Sequence, residues 1–135
     1  MNLIICIDNK GGMLFHGRRV SSDRIVCKKI LDLCQGKLRI APYSMSLFQT
    51  DCELFVSEDL SDATDASDWC FVETFDPAKV IDNAEKIVIF HWNRSYPSEL
   101  KFTMDKLRSG WILNHTEEFE GYSHKKITME VYLRC

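Results

Sequence analysis

The sequence predicts an α/β protein: a mostly parallel central sheet with flanking helices, finished by a C-terminal antiparallel hairpin. Three observations predict it. Two short, wholly apolar runs, Leu3-Ile4-Ile5-Cys6-Ile7 and Ile87-Val88-Ile89-Phe90, have the length and β-branched content of strands buried on both faces. Between them, strand-like runs alternate with helix-like ones, the order that lays successive strands parallel. The tail then changes period: residues 111–116 and 127–133 alternate apolar and polar side chains about Gly121-Tyr122-Ser123-His124, as a wide hairpin at a sheet edge would.

The elements follow in order. The first strand runs through Asp8-Asn9-Lys10-Gly11-Gly12, a loop, and a basic segment, Gly17-Arg18-Arg19, into a helix opening at Ser21-Ser22-Asp23. In that helix Val26, Ile30 and Leu33 form one stripe, widened by Ile25, Cys27, Leu31 and Cys34, while Lys28, Lys29 and Asp32 face outward. Ser21 or Ser22 is suited to cap its start, and Gly36 to the left-handed position past its end. With the first strand central, Asp23 falls on the helix's first turn, near the carboxyl ends of the strands, where open α/β sheets place ligands. Leu38-Arg39-Ile40-Ala41 is a second strand closed by Pro42, residues 43–48 make one or two helical turns, and residues 52–56 form a third strand. Residues 57–68 are acidic and poor in apolar groups, hence an exposed loop or frayed helix without the glycine-centred spacing of a calcium loop. Trp69-Cys70-Phe71-Val72 is a fourth strand. Asp76-Pro77 then opens a helix reaching about Ala84, with a capping residue ahead of a proline.

The totals narrow the function classes. A chain of 135 residues with 45% hydrophobic content is expected to fold as a single domain, residues 1–135. A formal charge of −3 provides no whole-molecule attraction to phosphate backbones, so nucleic acid is not an expected partner. No run of 18 apolar residues is present to cross a membrane, and the N-terminus lacks the pattern of a signal peptide. Six cysteines without a Cys-x-x-Cys pair read as free thiols in a reducing compartment, so the expected location is cytoplasmic and no metal is expected.

The order of elements, and the residues at their corners, resemble dihydrofolate reductase over essentially the whole length. The opening strand with its glycine-containing loop; Val20-Ser21-Ser22-Asp23 ahead of Lys28-Lys29; Asn83-Ala84-Glu85-Lys86 leading into the strand that ends at His91; and Asp105, Trp111, Glu118-Phe119, Ser123-His124 and residues 130–134 carry the likeness. The chain is also similar to short bacterial chains that sometimes bear the label ribonuclease Z. That chemistry needs clustered histidines for two metal ions, and His16, His91, His115 and His124 are isolated.

The resemblance implies that Asp23 is the catalytic acid: set in an apolar cleft, bonded to a pterin ring, and raised in pKa by desolvation. The expected cleft is lined by Asp23, Cys27, Phe90 and residues 13–19, with Cys27 and Phe90 on the ligand, and Arg18 and Arg19, with Lys10 and His16, form a basic loop beside it suited to binding an anionic ligand. Two departures bear on NADPH. Where the family has a Gly-Arg-x-Thr turn for cofactor phosphate, this chain has Ala41-Pro42-Tyr43-Ser44. Where it has a Gly-Gly pair whose bare backbone meets the dinucleotide, this chain has Glu73-Thr74, a carboxylate in place of open main chain. Glu73 can instead pair with Arg18 or Arg19 and close the cleft. The expectation is therefore a dihydrofolate-reductase-like protein with an altered NADPH site that binds a small planar or anionic molecule or serves as an accessory protein. The alternatives are an active NADPH-dependent reductase and a protein-binding module.

Overall fold

The structure, a computed structural model, describes residues 1–48, 52–63, 65–107 and 109–135. In chain order it holds β1 (Asn2–Ile7), β2 (Gly12–Phe15), β3 (Arg18–Arg19), α1 (Arg24–Leu33), β4 (Lys37–Ile40), β5 (Glu53–Val56), β6 (Trp69–Phe71), β7 (Lys86–His91), β8 (Leu100–Lys101), β9 (Trp111–Phe119) and β10 (Ile127–Arg134). Seven strands form the main sheet in the order β5-β4-β6-β1-β7-β10-β9. The five strands from β5 to β7 are parallel; β10 runs antiparallel to β7, and β9 antiparallel to β10. The mostly parallel sheet with a C-terminal edge hairpin is therefore present as the sequence predicts.

Side-chain alternation along the central strands explains why they are apolar throughout. Leu3, Ile5 and Ile7 of β1, with Ile87 and Ile89 of β7, enter one hydrophobic cluster; Ile4, Val88 and Phe90 enter the other, on the opposite face. On the second face α1 presses Val26 and Ile30, both buried, against Ile4, Phe71 and Phe90. Each such fully buried aliphatic side chain contributes about 1.5–3 kcal/mol. The connections divide between the faces for a topological reason. Crossovers from β1 to β4 and from β4 to β5 move toward one edge and cover the α1 face. Those from β5 to β6 and from β6 to β7 move back, and right-handedness puts them on the other face.

Several local expectations change. The cap of α1 is Asp23 itself, whose side chain accepts the Ile25 N–H, rather than Ser21 or Ser22. At the other end both Gln35 and Gly36 have positive φ (54° and 79°), with Gly36 N–H donating to the Leu31 carbonyl and Gln35 N–H to that of Asp32. That double bond pattern is a Schellman ending, in which the glycine's neighbour also turns left-handed. The helix expected from Pro77 to Ala84 is two single 3-10 turns, Pro77–Lys79 and Ile81–Asn83, although Asp76 does cap and Pro77 does lead. Eight residues interrupted by β-branched Val80 and Ile81 are too few to hold an α-helix, and the tighter turns deliver Val80 and Ala84 to the core. Consequently α1 covers one face, whereas loops and 3-10 turns cover the other. The 42–47 segment is likewise 3-10.

Residues 12–19, expected to be loop, form part of a second, three-stranded sheet, β3-β2-β8. Its hinge is Asp8, buried, whose carboxylate accepts the N–H groups of Lys10, Gly12 and Tyr96. Gly11 (φ +81°) is required there, since a Cβ would lie 2.4 Å from the Phe102 carbonyl oxygen. In the acidic segment 57–68, Thr64 lies outside the described residues; the rest is turn and irregular chain, with Leu60 and Ala63 buried in the core.

Candidate functional site

The carboxyl ends of β4, β6, β1 and β7 lie side by side, and the chain leaving them carries Ser44, Glu73 and Trp92 to the N-terminus of α1. Parallel strands put all their exits at one end, so residues distant in sequence meet there. Two charged groups organise this corner, Glu73 and Asp23.

Glu73 is 7% exposed. Arg19 meets it with two parallel hydrogen bonds, Nε to Oε2 at 3.0 Å and Nη2 to Oε1 at 2.8 Å, and Ser44 Oγ donates to the same Oε1 at 2.8 Å. The guanidinium also lies 4.5 Å from the Tyr43 ring centroid, and the Arg19 N–H donates to the Tyr43 hydroxyl. The fork-to-fork geometry is the strong form of this ion pair. Burial alone would lower the Arg19 pKa, but the bonded and charged Glu73 raises it. Of the two arginines, therefore, Arg19 closes the corner. Arg18, the preceding residue on β3, points the other way and is exposed, because successive strand side chains alternate. It stays outside the cluster around Glu73.

Asp23 is 4% exposed and accepts from five groups. Oδ1 takes the N–H of Ile25 and of Tyr122, each at 2.9 Å; Oδ2 takes Ser123 N–H at 2.9 Å, Ser123 Oγ at 3.1 Å and His124 Nδ1 at 3.0 Å. The expectation of a raised pKa is reversed. Burial does push the carboxyl up, but the N–H groups of Tyr122 and Ser123, then His124 and Ile25, hold it well below the usual carboxylate range. Desolvation loses because nearly every lone pair of the ionised form has a donor. The close approach of the hairpin turn depends on Gly121, where a Cβ would lie 2.6 Å from Asp23 Oδ2.

His124, 4% exposed, connects this carboxylate to Ser21: its Nδ1 faces Asp23 Oδ2, and its Nε2 lies 2.8 Å from Ser21 Oγ. An ionised carboxylate can only accept, so Nδ1 carries the ring proton toward Asp23. In the tautomer with its one proton on Nδ1, Nε2 accepts the Ser21 hydroxyl. The imidazole stacks on Trp92 at 4.9 Å between centroids, and the Tyr96 hydroxyl donates to Ser21 Oγ at 3.5 Å.

Beside these groups a groove of about 710 Å³ runs between α1 and the 42–47 turn, lined by Arg24, Lys28, Leu31, Ser46 and Leu47 together with Ser22, Asp23 and Cys27. A much narrower cleft, about 20 Å³, continues inward past Ser21, Cys6, Glu73 and Trp92. Cys27 thus lines both, as the sequence suggests. Burial first, and then the negative charge of Glu73, push its thiol up to about 11, and the Cys6 thiol rises for the same reasons. Phe90, expected to touch ligand, is instead fully buried beneath the sheet surface, edge-on to Phe119 at 6.3 Å. As a central-strand residue pointing to the α1 face it is covered by the helix. Met13 of the 13–19 segment is likewise in the core. Ser21 and Ser44 were not legible as site residues, and His124 only as a structural feature; a turn of Gly121-Tyr122-Ser123-His124 between polar segments is a weak signal by itself.

Among the described residues no group of three or more His, Cys, Asp or Glu side chains is arranged to hold a metal ion. No helix among them is long and apolar enough to cross a membrane. The cysteines are all free.

No protein-family model matches the chain, and no curated protein matches it in sequence. Solved structures do match in fold. A dihydrofolate reductase from Enterococcus faecalis, complexed with NADP(H) and RAB-propyl, aligns with 99% of this chain and 96% of its own, at a TM-score of 0.67 and 11% sequence identity. The fold is therefore dihydrofolate-reductase-like, in a strongly divergent sequence.

Proposed function

We propose that residues 1–135 act as one ligand-binding domain on a dihydrofolate-reductase-like scaffold. The domain takes a small planar or anionic molecule in the groove between α1 and the 42–47 turn and does not take NADPH in that fold's usual pose. The observation that carries this reading is the buried Arg19–Glu73–Ser44 cluster. In the family, bare backbone at the Glu73 corner receives the dinucleotide. With Arg19 paired to it, Glu73 opposes a diphosphate less by repulsion than by occupying the corner, because entry would require breaking a largely buried ion pair. Removing one partner of such a pair costs about 3–5 kcal/mol when burial is complete. The groove itself offers Arg24 and Lys28 at its rim and Leu31 and Leu47 on its walls, a combination that suits a flat apolar body with an anionic tail. Free, partly buried thiols fit a cytoplasmic setting.

The test is a pair of titrations followed by tryptophan fluorescence, with Trp92 at the inner cleft as reporter. Folate, a planar ring with carboxylates, is expected to produce saturable quenching that weakens in Arg24→Ala and Lys28→Ala. NADPH is expected to produce none. Tight saturable quenching by NADPH restores the reductase reading, and silence with folate removes the groove assignment.

A further inference from the structure

His124 lies 103 positions from Ser21 and 101 from Asp23, yet the fold aligns the three side chains atom to atom. The Ser21 hydroxyl faces Nε2 at 2.8 Å, and Nδ1 of the same ring faces Asp23 Oδ2 at 3.0 Å. We propose that these three side chains form a nucleophilic relay and that the protein hydrolyses small acyl esters at the inner end of the groove. The reading rests on the relay alone and holds whatever ligand the groove prefers.

Four features go beyond what a loop clamp requires. Ionised Asp23 takes the Nδ1 proton, the arrangement in which a neutral ring offers Nε2 as acceptor to Ser21. The ring plane is held by Trp92, so Nε2 cannot swing away from Ser21. Tyr96 donates to Ser21 Oγ from another side, which leaves the single serine proton for His124. Finally, Ser21 is half-buried and lines the narrow cleft, which shares Ser22, Asp23, Cys27 and Leu47 with the open groove. At about 20 Å³ that cleft has room for about one water, so an ester arriving from the groove would reach the hydroxyl by widening it.

The chemistry balances without a co-reactant other than water. His124 Nε2 accepts the Ser21 proton as Oγ bonds to the acyl carbon and the carbonyl electron pair moves to oxygen. Collapse of that adduct breaks the bond to the leaving alkoxide, which takes the proton back from Nε2. Water, deprotonated by the same nitrogen, then adds to the acyl-serine; a carboxylic acid leaves, and Ser21 regains its proton. Asp23 is a positioning residue here: it touches neither substrate nor the attacked carbon, and holds the ring's orientation and tautomer.

The test uses the whole chain and diisopropyl fluorophosphate, with mass spectrometry to locate the adduct. One adduct per chain is expected, on Ser21, absent in Ser21→Ala. His124→Gln is expected to slow labelling about 10²–10⁴-fold. Asp23→Asn, assayed in the cold with near-UV circular dichroism unchanged, is expected to slow it as well, which a purely structural contact would not do. Turnover of p-nitrophenyl acetate follows the same order. If His124→Gln does not fold, Ser21→Ala, which removes one oxygen, carries the test. Folded wild-type left unlabelled at Ser21 by excess reagent, or ester hydrolysis undiminished in Ser21→Ala, overturns the proposal. Neither result bears on folate titration, so the two readings fail separately.

Discussion

Replacing Asp23 with Asn keeps the side chain's shape and removes its charge, and the cost can be worked from the bonds it makes. The amide oxygen, set as Oδ1, still accepts from Ile25 and Tyr122 N–H, so the helix cap survives. The amide nitrogen then replaces Oδ2 and faces three donors, Ser123 N–H, Ser123 Oγ and His124 Nδ1. The serine hydroxyl can rotate, and the imidazole can move its proton to Nε2 and accept instead. Ser123 N–H has no such recourse. A buried unsatisfied donor costs about 1–3 kcal/mol, and the charge-assisted character of the lost bonds adds to it, so about 2–4 kcal/mol of destabilisation at pH 7 is expected. Urea unfolding at constant m measures this directly. The pH dependence supplies the second half. Asp23 has its pKa lowered in the folded state, so the stabilisation is fully present above the unfolded value of about 3.9 and is lost as pH falls from there toward the lower folded value. Wild-type should therefore converge on Asp23→Asn as pH drops below about 4. A variant within about 0.5 kcal/mol of wild-type at pH 7, the scatter of ordinary surface substitutions, or two parallel pH profiles, would refute the account of this carboxylate.

Gly121→Ala should destabilise by about 1–3 kcal/mol in thermal melts, because the new methyl meets Asp23 Oδ2 at 2.6 Å and Ile127 Cδ1 at 2.7 Å; a neutral result would mean that the turn is not packed as described. Arg19→Met and Glu73→Leu should each destabilise singly and recover part of the loss together, with a coupling of about 0.5–3 kcal/mol in a double-mutant cycle; strict additivity would show that the pair is not formed in solution. Phe90→Ala should cost about 3–5 kcal/mol by urea unfolding while leaving the affinity for folate unchanged, and a selective loss of affinity would return Phe90 to the groove. With its thiol pushed up to about 11, Cys27 should react with a disulfide reagent at pH 8 far more slowly than exposed Cys135, as peptide mapping would reveal; equal rates would contradict its protonated state.

The strands were legible in the chain because burial on both faces leaves a signature that needs no partner to be known: β1 and β7 are apolar at every position that matters, and the tail alternates. The helix α1 was legible for the same reason, through its stripe at Val26 and Ile30. Where the outcome depended on a competition between nearly equal local states, the reading failed: Pro77–Lys79 and Ile81–Asn83 carry the markings of one helix, and the need to seat Val80 and Ala84 in the core decided for two tight turns. The basic segment gave no hint that Gly12–Phe15 and Arg18–Arg19 would pair with Leu100–Lys101 as a second sheet.

At the site the division is sharper. By itself, the sequence determined that an acid stands at the start of a helix, that a carboxylate follows the fourth large-sheet strand, and that an arginine nearby could answer it. Only the tertiary structure decided which arginine does so, that Ser44 joins them, and that Asp23 is an ionised anchor for Tyr122, Ser123 and His124 rather than a half-protonated acid. The physical reason is common to all three. A residue's secondary structure is set largely by neighbours a few positions away, whereas the protonation and role of a buried charge are set by whichever donors the fold brings within about 3 Å, and here the deciding ones arrive from 29 to 101 residues along the chain.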